Sequence, residues 1–302
     1  MDAWRGRIDD ASDPQAFRLH QVVRPIEQAA CPGVALLGFA SDEGIRRNGG
    51  RTGAALGPAA LRRCLSNLPA TDSRAMYDAG DIACTDGDLE GAQLRFARRI
   101  TQLLDAGHFP VGMGGGHEIG FASYLGLAGS ARPGRIAIVN LDAHLDLRDA
   151  PLANSGTPFL QALRHARANG LQLDYFCLGA SASANTQRLF RTARETGSRY
   201  LYDDEMTASR LDANIERLLQ WLAPADSIHL TICLDVLPAA VAAGVSAPSA
   251  RGVALDVLEP VIAAIRNTGR LKLADLAELS PPLDRDDATA RVGARLIHRL
   301  IA

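Results

Sequence analysis

Residues 140–146 read NLDAHLD, which places Asp142, His144 and Asp146 at every second position with Leu141, Ala143 and Leu145 between them. In an extended segment alternate side chains share a face. Two acids and an imidazole would then converge while the apolar residues pack away. Buried acids are costly unless they are paired or hold a metal. The segment has no base of its own; Arg148 comes just after. Taken alone, D-x-H-x-D is as well explained by a polar strand end that reaches solvent.

Three more segments end in groups of the same kind. FPVGM runs into GGGHEIG, so His117 stands directly behind Gly114, Gly115 and Gly116. Segment 227–235 ends in Cys233 and Asp235, in phase on one face. Segment 271–279 ends in Asp275 and Glu278, before Pro281 and Pro282. Histidine and carboxylate ligands together suit Mn, Fe or Zn. Three Asp, a Cys and two His exceed the needs of one four-coordinate structural site. They suit a pair of ions about 3.5–4 Å apart that share a hydroxide. The glycine run fits neither a dinucleotide fingerprint nor a P-loop, because the third spaced glycine and the Lys-Ser/Thr are missing. It is expected to let the backbone approach the metals closely.

The elements that must position these groups follow from hydrophobic periodicity. Short apolar segments at 34–40, 109–115, 135–143, 174–180, 198–202, 227–235 and 271–279 read as strands. Helical spacing falls near 57–66, 88–106, 117–128, 158–169, 185–196, 208–223, 254–267 and 286–301. Alternation of the two argues for an α/β fold, a parallel sheet covered on both faces. In such sheets the loops after strand C-termini build the binding site. Residues 41–58 (SDEGIRRNGGRTGAALGP) and 236–252 (VLPAAVAAGVSAPSARG) are two such loops; the plainer reading is that they are long connections.

Bulk properties narrow the class. The 302 residues are 47% hydrophobic and 22% charged, as in an ordinary globular protein, and the formal net charge is −2. No basic stripe marks a nucleic-acid partner, and no apolar run approaches the roughly 20 residues that span a bilayer. Cys31, Cys64, Cys84, Cys177 and Cys233 are scattered and odd in number, which argues against a disulfide framework and for a reducing cytoplasm. The polar start MDAWRGRIDDASDPQ lacks an apolar signal core. No repeat or linker breaks the chain. The expectation is one domain over 1–302, with 1–30 as a peripheral N-terminal extension.

GGGHE (114–118), NLDAHLD (140–146), TICLDVLP (231–238) and DLAEL (275–279), in that order, resemble the ureohydrolase family of arginase and agmatinase. NGGRTGAALGP (48–58), SGTPF (155–159) and the 236–252 loop give the formimidoylglutamase branch of it as the nearest. The resemblance implies a three-layer α/β arginase-like fold around a mostly parallel eight-stranded sheet, with two Mn2+ at the strand C-termini. His117, Asp142, His144, Asp146 and Asp235 match metal-ligand positions, with Asp142 bridging. Glu278 matches the acid that holds the amidine or guanidine group, and Asp146 the proton relay. The implied reaction is metal-dependent hydrolysis of N-formimidoyl-L-glutamate to L-glutamate and formamide, a step of histidine degradation.

Two departures from the family pattern bear on that expectation. The family has a bridging Asp where this chain has Cys233. A thiolate keeps the charge but bridges through one soft sulfur, which favours Zn, Fe or Co over Mn. A binuclear site with altered metal preference, a single-ion site, and a weak or inactive ligand-binding relative all stay open, as does a plain buried thiol. In the SGTPF loop, Phe159 stands where arginases carry a proton-transferring His, and Ser155 where agmatinases carry a His. Both changes argue against arginine and agmatine, although another guanidino or amidino acid remains an alternative. The expected substrate carries two carboxylates, and Asn48 and Arg51 of the 41–58 loop are candidates to bind them; a solvated arginine loop is the plainer alternative. His20, His108, His165 and His298 are read as outside the site. His229, about 13 Å back along its strand at 3.3 Å per residue, is read the same way. A homo-oligomer is compatible with the sequence.

Overall fold

The computed structural model describes residues 3–70 and 74–301. Among the described residues nine strands form one sheet: β1 Arg24–Pro25, β2 Val34–Ala40, β3 Met76–Ala83, β4 Phe109–Gly114, β5 Ile136–Leu141, β6 Leu173–Ala180, β7 Arg199–Tyr202, β8 Ser227–Cys233 and β9 Leu271–Ala277. Their order is β1-β3-β2-β4-β9-β8-β5-β6-β7, and every neighbouring pair is parallel. The strand beyond the expected eight is the two-residue edge strand β1.

The central strands are aliphatic on both faces because both faces are covered. All residues of β5 and β8 are buried. Successive residues feed two separate cores: Leu36 and Val139 pack on one side, Leu37 and Ile138 on the other. The first core is closed by helices Gly57–Ser66, Leu255–Asn267 and Ala288–Ile301. The second is closed by helices Leu89–Asp105, Ile119–Ala128 and Pro158–Ala168. Helix Leu89–Asp105 shows the logic: Leu89, Ala92, Phe96, Ile100 and Leu103 make its buried stripe, and the Asp88 side chain caps its start by accepting from the Gly91 N–H. The three-layer expectation holds. No described helix is long and apolar enough to cross a membrane.

Strand β3 does not stand out in the sequence. MYDAGDIA carries Asp78, Gly80 and Asp81, which depress any strand signal. Tertiary contacts compensate. The Arg62 guanidinium donates to both Asp78 oxygens (3.0 and 2.8 Å) and to Asp81 Oδ1 (2.6 Å), and Trp4 Nε1 donates to Asp78 Oδ2 at 2.7 Å. Trp4, Leu19 and Val23 join the first core, so the N-terminal segment is packed onto the sheet.

A wholly parallel sheet puts all strand C-termini on one edge. β2, β4, β9, β8 and β5 are consecutive neighbours. The segments that leave them therefore lie side by side: 41–58, 115–118, 278–282, 234–252 and 142–157.

Candidate metal centre

Of the side chains singled out at the four strand ends, all but Asp275 meet. His117 Nδ1 lies 2.9 Å from Asp142 Oδ2 and 2.9 Å from Asp146 Oδ2. His144 Nδ1 lies 3.4 Å from Asp142 Oδ1 and 3.1 Å from Asp235 Oδ2. Ligand atoms of His117, Asp142 and Cys233 fall within 4.8 Å of one another, and so do those of Asp142, His144 and Asp235. Asp142 belongs to both groups, one oxygen toward each imidazole.

Strand alternation is not what brings them together. β5 ends at Leu141, and Asp142 to Asp146 form an irregular turn rather than an extended run. Asn185 holds the turn: its Oδ1 accepts from the Leu145 N–H, and its Nδ2 donates to the Ala143 carbonyl. Asp142 is oriented by Asn140 Nδ2, which donates to its Oδ2, and by the His144 N–H on its Oδ1. Asp235 sits in a 3-10 turn beyond β8, not in the strand. Asp146 (φ 46°) and Glu278 (φ 73°) occupy the left-handed region that side chains avoid, a strain that surrounding structure must hold in place.

The glycine run has a different use from the expected one. Gly115 and Gly116 donate to the carbonyls of Phe39 and Ser41. A Cβ on Gly115 would stand 1.8 Å from the Ser41 carbonyl oxygen, and one on Gly116 would stand 2.1 Å from Glu118 Oε2. The close approach is to the exit of β2 and to Glu118.

Asp275 is not at the cavity. It lies inside the sheet opposite Thr231, accepting from the Thr231 hydroxyl at 2.5 Å with its other oxygen 2.6 Å from His229 Nε2. His229 is engaged with Asp275, away from the cluster, and is part of its support: Thr231 Oγ1 is 3.0 Å from His117 Nε2. Thr231, Asn140 and Asn185 were missed as supporting residues, and Asp275, singled out as a strand-end group, supports the cluster from inside the sheet. The available signal was phase, since His229 and Thr231 share a strand face with Cys233.

Charge in the cluster is unbalanced. Burial, then Asp142, pushes Asp146 up to about 6. Burial and the neighbouring carboxylates push Asp235, Cys233 and Glu278 up as well. Burial opposes charging of His117 and His144, but the adjacent aspartates outweigh it and raise both rings well above the usual histidine value. Asp142 is held below the usual range, because its two histidines outweigh its burial. Groups that hold protons this tightly are starved of positive charge. His117 Nδ1 and Asp235 Oδ1 are buried without a hydrogen bond, although His117 Nδ1 has two carboxylates close by. Close contact without directed hydrogen bonds is the arrangement of ligands aimed at a common cation. The residues present therefore fit divalent metal.

Above the cluster is a cavity of about 400 Å³. His117, His144, Asp146, Cys233, Asp235 and Glu278 face it, and Asn48, Arg51, Arg148 and Ser155 complete its walls. Glu278 Oε1 accepts from the His117 N–H at 2.9 Å. Asn48 Nδ2 donates to Ser155 Oγ at 3.1 Å. Arg51 donates from Nε to the Ser246 carbonyl and from Nη2 to that of Val245, tying the two long loops together. Phe159 is fully buried beneath the site, edge-on to the His117 ring at 5.2 Å.

A parallel three-layer α/β protein with clustered His, Asp and Cys at its carboxyl edge defines the class, a ureohydrolase-type fold with a candidate metal centre. The chain belongs to the arginase family, whose profile matches residues 32–302. It is 51% identical to the formimidoylglutamase of Aeromonas hydrophila subsp. hydrophila, covering 100% of this chain and 97% of that one. It is 51% identical to the formimidoylglutamase of Ralstonia nicotianae, covering 99% and 94%. The crystal structure of Trypanosoma cruzi formiminoglutamase with Mn2+2 superposes with a TM-score of 0.81 at 25% identity, covering 91% of this chain and 95% of that one.

Proposed function

We propose that the protein is a hydrolase of carbon–nitrogen bonds in linear amidines, and that it converts N-formimidoyl-L-glutamate and water to L-glutamate and formamide. The observation that carries the reading is Asp142, shared between two imidazole-containing ligand groups at the floor of one cavity. The full-length formimidoylglutamase relatives supply the choice of substrate.

His117, Asp142, Asp146 and Cys233 would hold one divalent ion, and Asp142, His144 and Asp235 the second. Two Mn2+ is the leading assignment, supported by the manganese of the Trypanosoma cruzi neighbour. The sulfur of Cys233 draws the preference toward Zn2+, Fe2+ or Co2+, and a single ion is the alternative stoichiometry. Bound ions supply a nucleophile of hydroxide strength near neutral pH.

The protein's own groups do the rest. Glu278 takes the cationic N–C–N unit through charge-assisted hydrogen bonds, which its burial strengthens. Oxygen from water adds to the formimidoyl carbon, the bond from that carbon to the glutamate nitrogen breaks, and Asp146 passes a proton to the departing nitrogen. Phe159, packed against the His117 ring, contributes an apolar wall and no proton. Asn48 and the spare donor of Arg51 line the wall of the same cavity and would add polar contacts to the substrate's carboxylate end. The reading of a binding protein without turnover is not favoured, because the full-length relatives at 51% identity are formimidoylglutamases.

Residues 1–302 form one ureohydrolase-like domain on this reading, with 1–30 an N-terminal extension anchored by Trp4. A cytoplasmic homo-oligomer completes the proposal. A substrate panel tests it: N-formimidoyl-L-glutamate is turned over and arginine and agmatine are not, whereas turnover of arginine or agmatine alone would overturn it.

A further inference from the structure

A second cavity, a side chamber of about 260 Å³, adjoins the one over the cluster. Asn48, Arg148 and Leu189 line both spaces. The chamber's far side is Arg188 and Thr192, on helix Gln187–Glu195. We infer that this chamber seats the dicarboxylate end of the substrate, and that Arg148 and Arg188 are the residues that bind its two carboxylates. The inference rests on the substrate proposed above.

The argument is one of charge accounting. Arg46 is bound to Glu43, and Arg47 to Glu43 and Glu90. Arg51 spends two donors on loop carbonyls. Arg164 is bidentate on Asp149, at 2.8 and 2.8 Å, which neutralises the acid that lines the chamber. Arg148 and Arg188 differ: among the described residues, neither guanidinium has a hydrogen-bond or ion-pair partner. Arg188 shares its field with Asp149, which Arg164 already holds, so the chamber keeps an excess of positive charge and two guanidinium forks without a hydrogen-bond partner among the described residues.

Arg148 is also aimed. Its N–H donates to the Gly156 carbonyl at 2.9 Å. A Cβ on Gly156 would stand 2.7 Å from Arg148 Cδ and 2.9 Å from its Nε, so the stem lies directly across that glycine. It follows Asp146 by two residues, a backbone reach of about 7 Å at most. A carboxylate on the carbon next to the reacting nitrogen falls to Arg148, and the terminal carboxylate, three carbons further, to Arg188. Guanidinium forks match carboxylates in bidentate geometry. With Glu278 on the amidine, the substrate is held by its charge at both ends.

Steady-state kinetics and glutarate binding by calorimetry, both on metal-loaded protein, test the clamp. Arg148→Ala should raise KM for N-formimidoyl-L-glutamate at least about tenfold with kcat within about threefold, the loss of one charged hydrogen-bond pair. Arg148→Lys should recover part of the loss. N-Propylformamidine, which has no carboxylate, should be hydrolysed equally by wild type and Arg148→Ala. Arg188→Ala should raise KM for N-formimidoyl-L-glutamate but not for N-formimidoylglycine, which lacks the terminal carboxylate. Unchanged KM and unchanged glutarate affinity in Arg148→Ala would overturn the clamp while leaving the substrate assignment standing. Glutarate binding that depends on Arg148, in a protein with no formimidoylglutamate turnover, would uphold the clamp and remove the substrate.

Discussion

His117 Nε2 lies 3.0 Å from the hydroxyl of Thr231, and that hydroxyl donates to Asp275 Oδ1 at 2.5 Å. Asp275 is fully buried, yet His229 and Thr231 outweigh the burial and hold it below the usual aspartate range, as an acceptor. A threonine hydroxyl has one hydrogen. Given to Asp275, it leaves the oxygen to accept from His117, so Nε2 carries the hydrogen and Nδ1 is free for a cation. Asp275, Thr231 and His117 thus form a chain that sets which ring nitrogen faces the cluster.

Thr231→Val keeps the volume and removes the acceptor. Metal affinity should fall by about 10- to 100-fold, the usual cost of losing such a supporting hydrogen bond. Mn2+ titration by calorimetry or electron paramagnetic resonance reads it directly. Unchanged affinity would mean that the ring is set by packing against Phe159 alone.

Glu278→Gln keeps the shape of the substrate acid and removes its charge. The kcat/KM for N-formimidoyl-L-glutamate should fall at least about 30-fold, since a buried charge pair loses one partner. Metal affinity should change little, so the loss appears in kinetics and not in metal titration.

Cys233 can be located spectroscopically. Its thiol holds its proton because of burial and the carboxylates of Asp142 and Asp235, so only a bound cation would ionise it. Co2+-loaded wild type should show a sulfur-to-cobalt absorption in the near ultraviolet that Cys233→Ser lacks. Cys233→Asp should shift the preferred metal toward Mn2+. Absence of the band in wild type would make Cys233 a spectator.

Stability should depend on pH through Asp78. Burial opposes its charge, but Arg62, with Trp4 and the Gly80 N–H, more than offsets it and lowers its pKa. A depressed carboxylate stabilises the fold above its unfolded pKa, and that contribution is lost as pH falls through the folded value. Asp78→Asn should therefore cost about 3 kcal/mol near neutral pH. The difference should shrink once pH drops below about 3.9, the unfolded value. Urea denaturation of both proteins from pH 7 to 3 measures the gap; a gap that widens on acidification would contradict the assignment.

The sequence revealed the strands that are aliphatic throughout, such as Val34–Ala40 and Ser227–Cys233, because full burial on both faces leaves a continuous apolar run. It hid β3, whose Asp78 and Gly80 make sense only once Arg62 and Trp4 are in place. The cluster residues were legible from their types, but the reason for their convergence was not. Asp142, His144 and Asp146 suggested alternation on a strand, whereas a turn pinned by Asn185, 40 residues away from Leu145, does the work. Asn185 carries no signal of its own, since an Asn near a strand is common and its partner is distant in sequence, and Thr231 carries only its phase with Cys233. The free state of Arg148 could not be read either, because it depends on which other arginines are already bound.

The most direct measurement is formamide and glutamate release from N-formimidoyl-L-glutamate as metal-free protein is titrated with Mn2+ and, separately, with Co2+ or Zn2+. Two cation sites that share Asp142 predict turnover that rises to a plateau at two equivalents per chain, and Asp142→Asn should abolish it. Turnover that is independent of added metal, or no turnover of this substrate from folded, metal-loaded protein, would contradict the account.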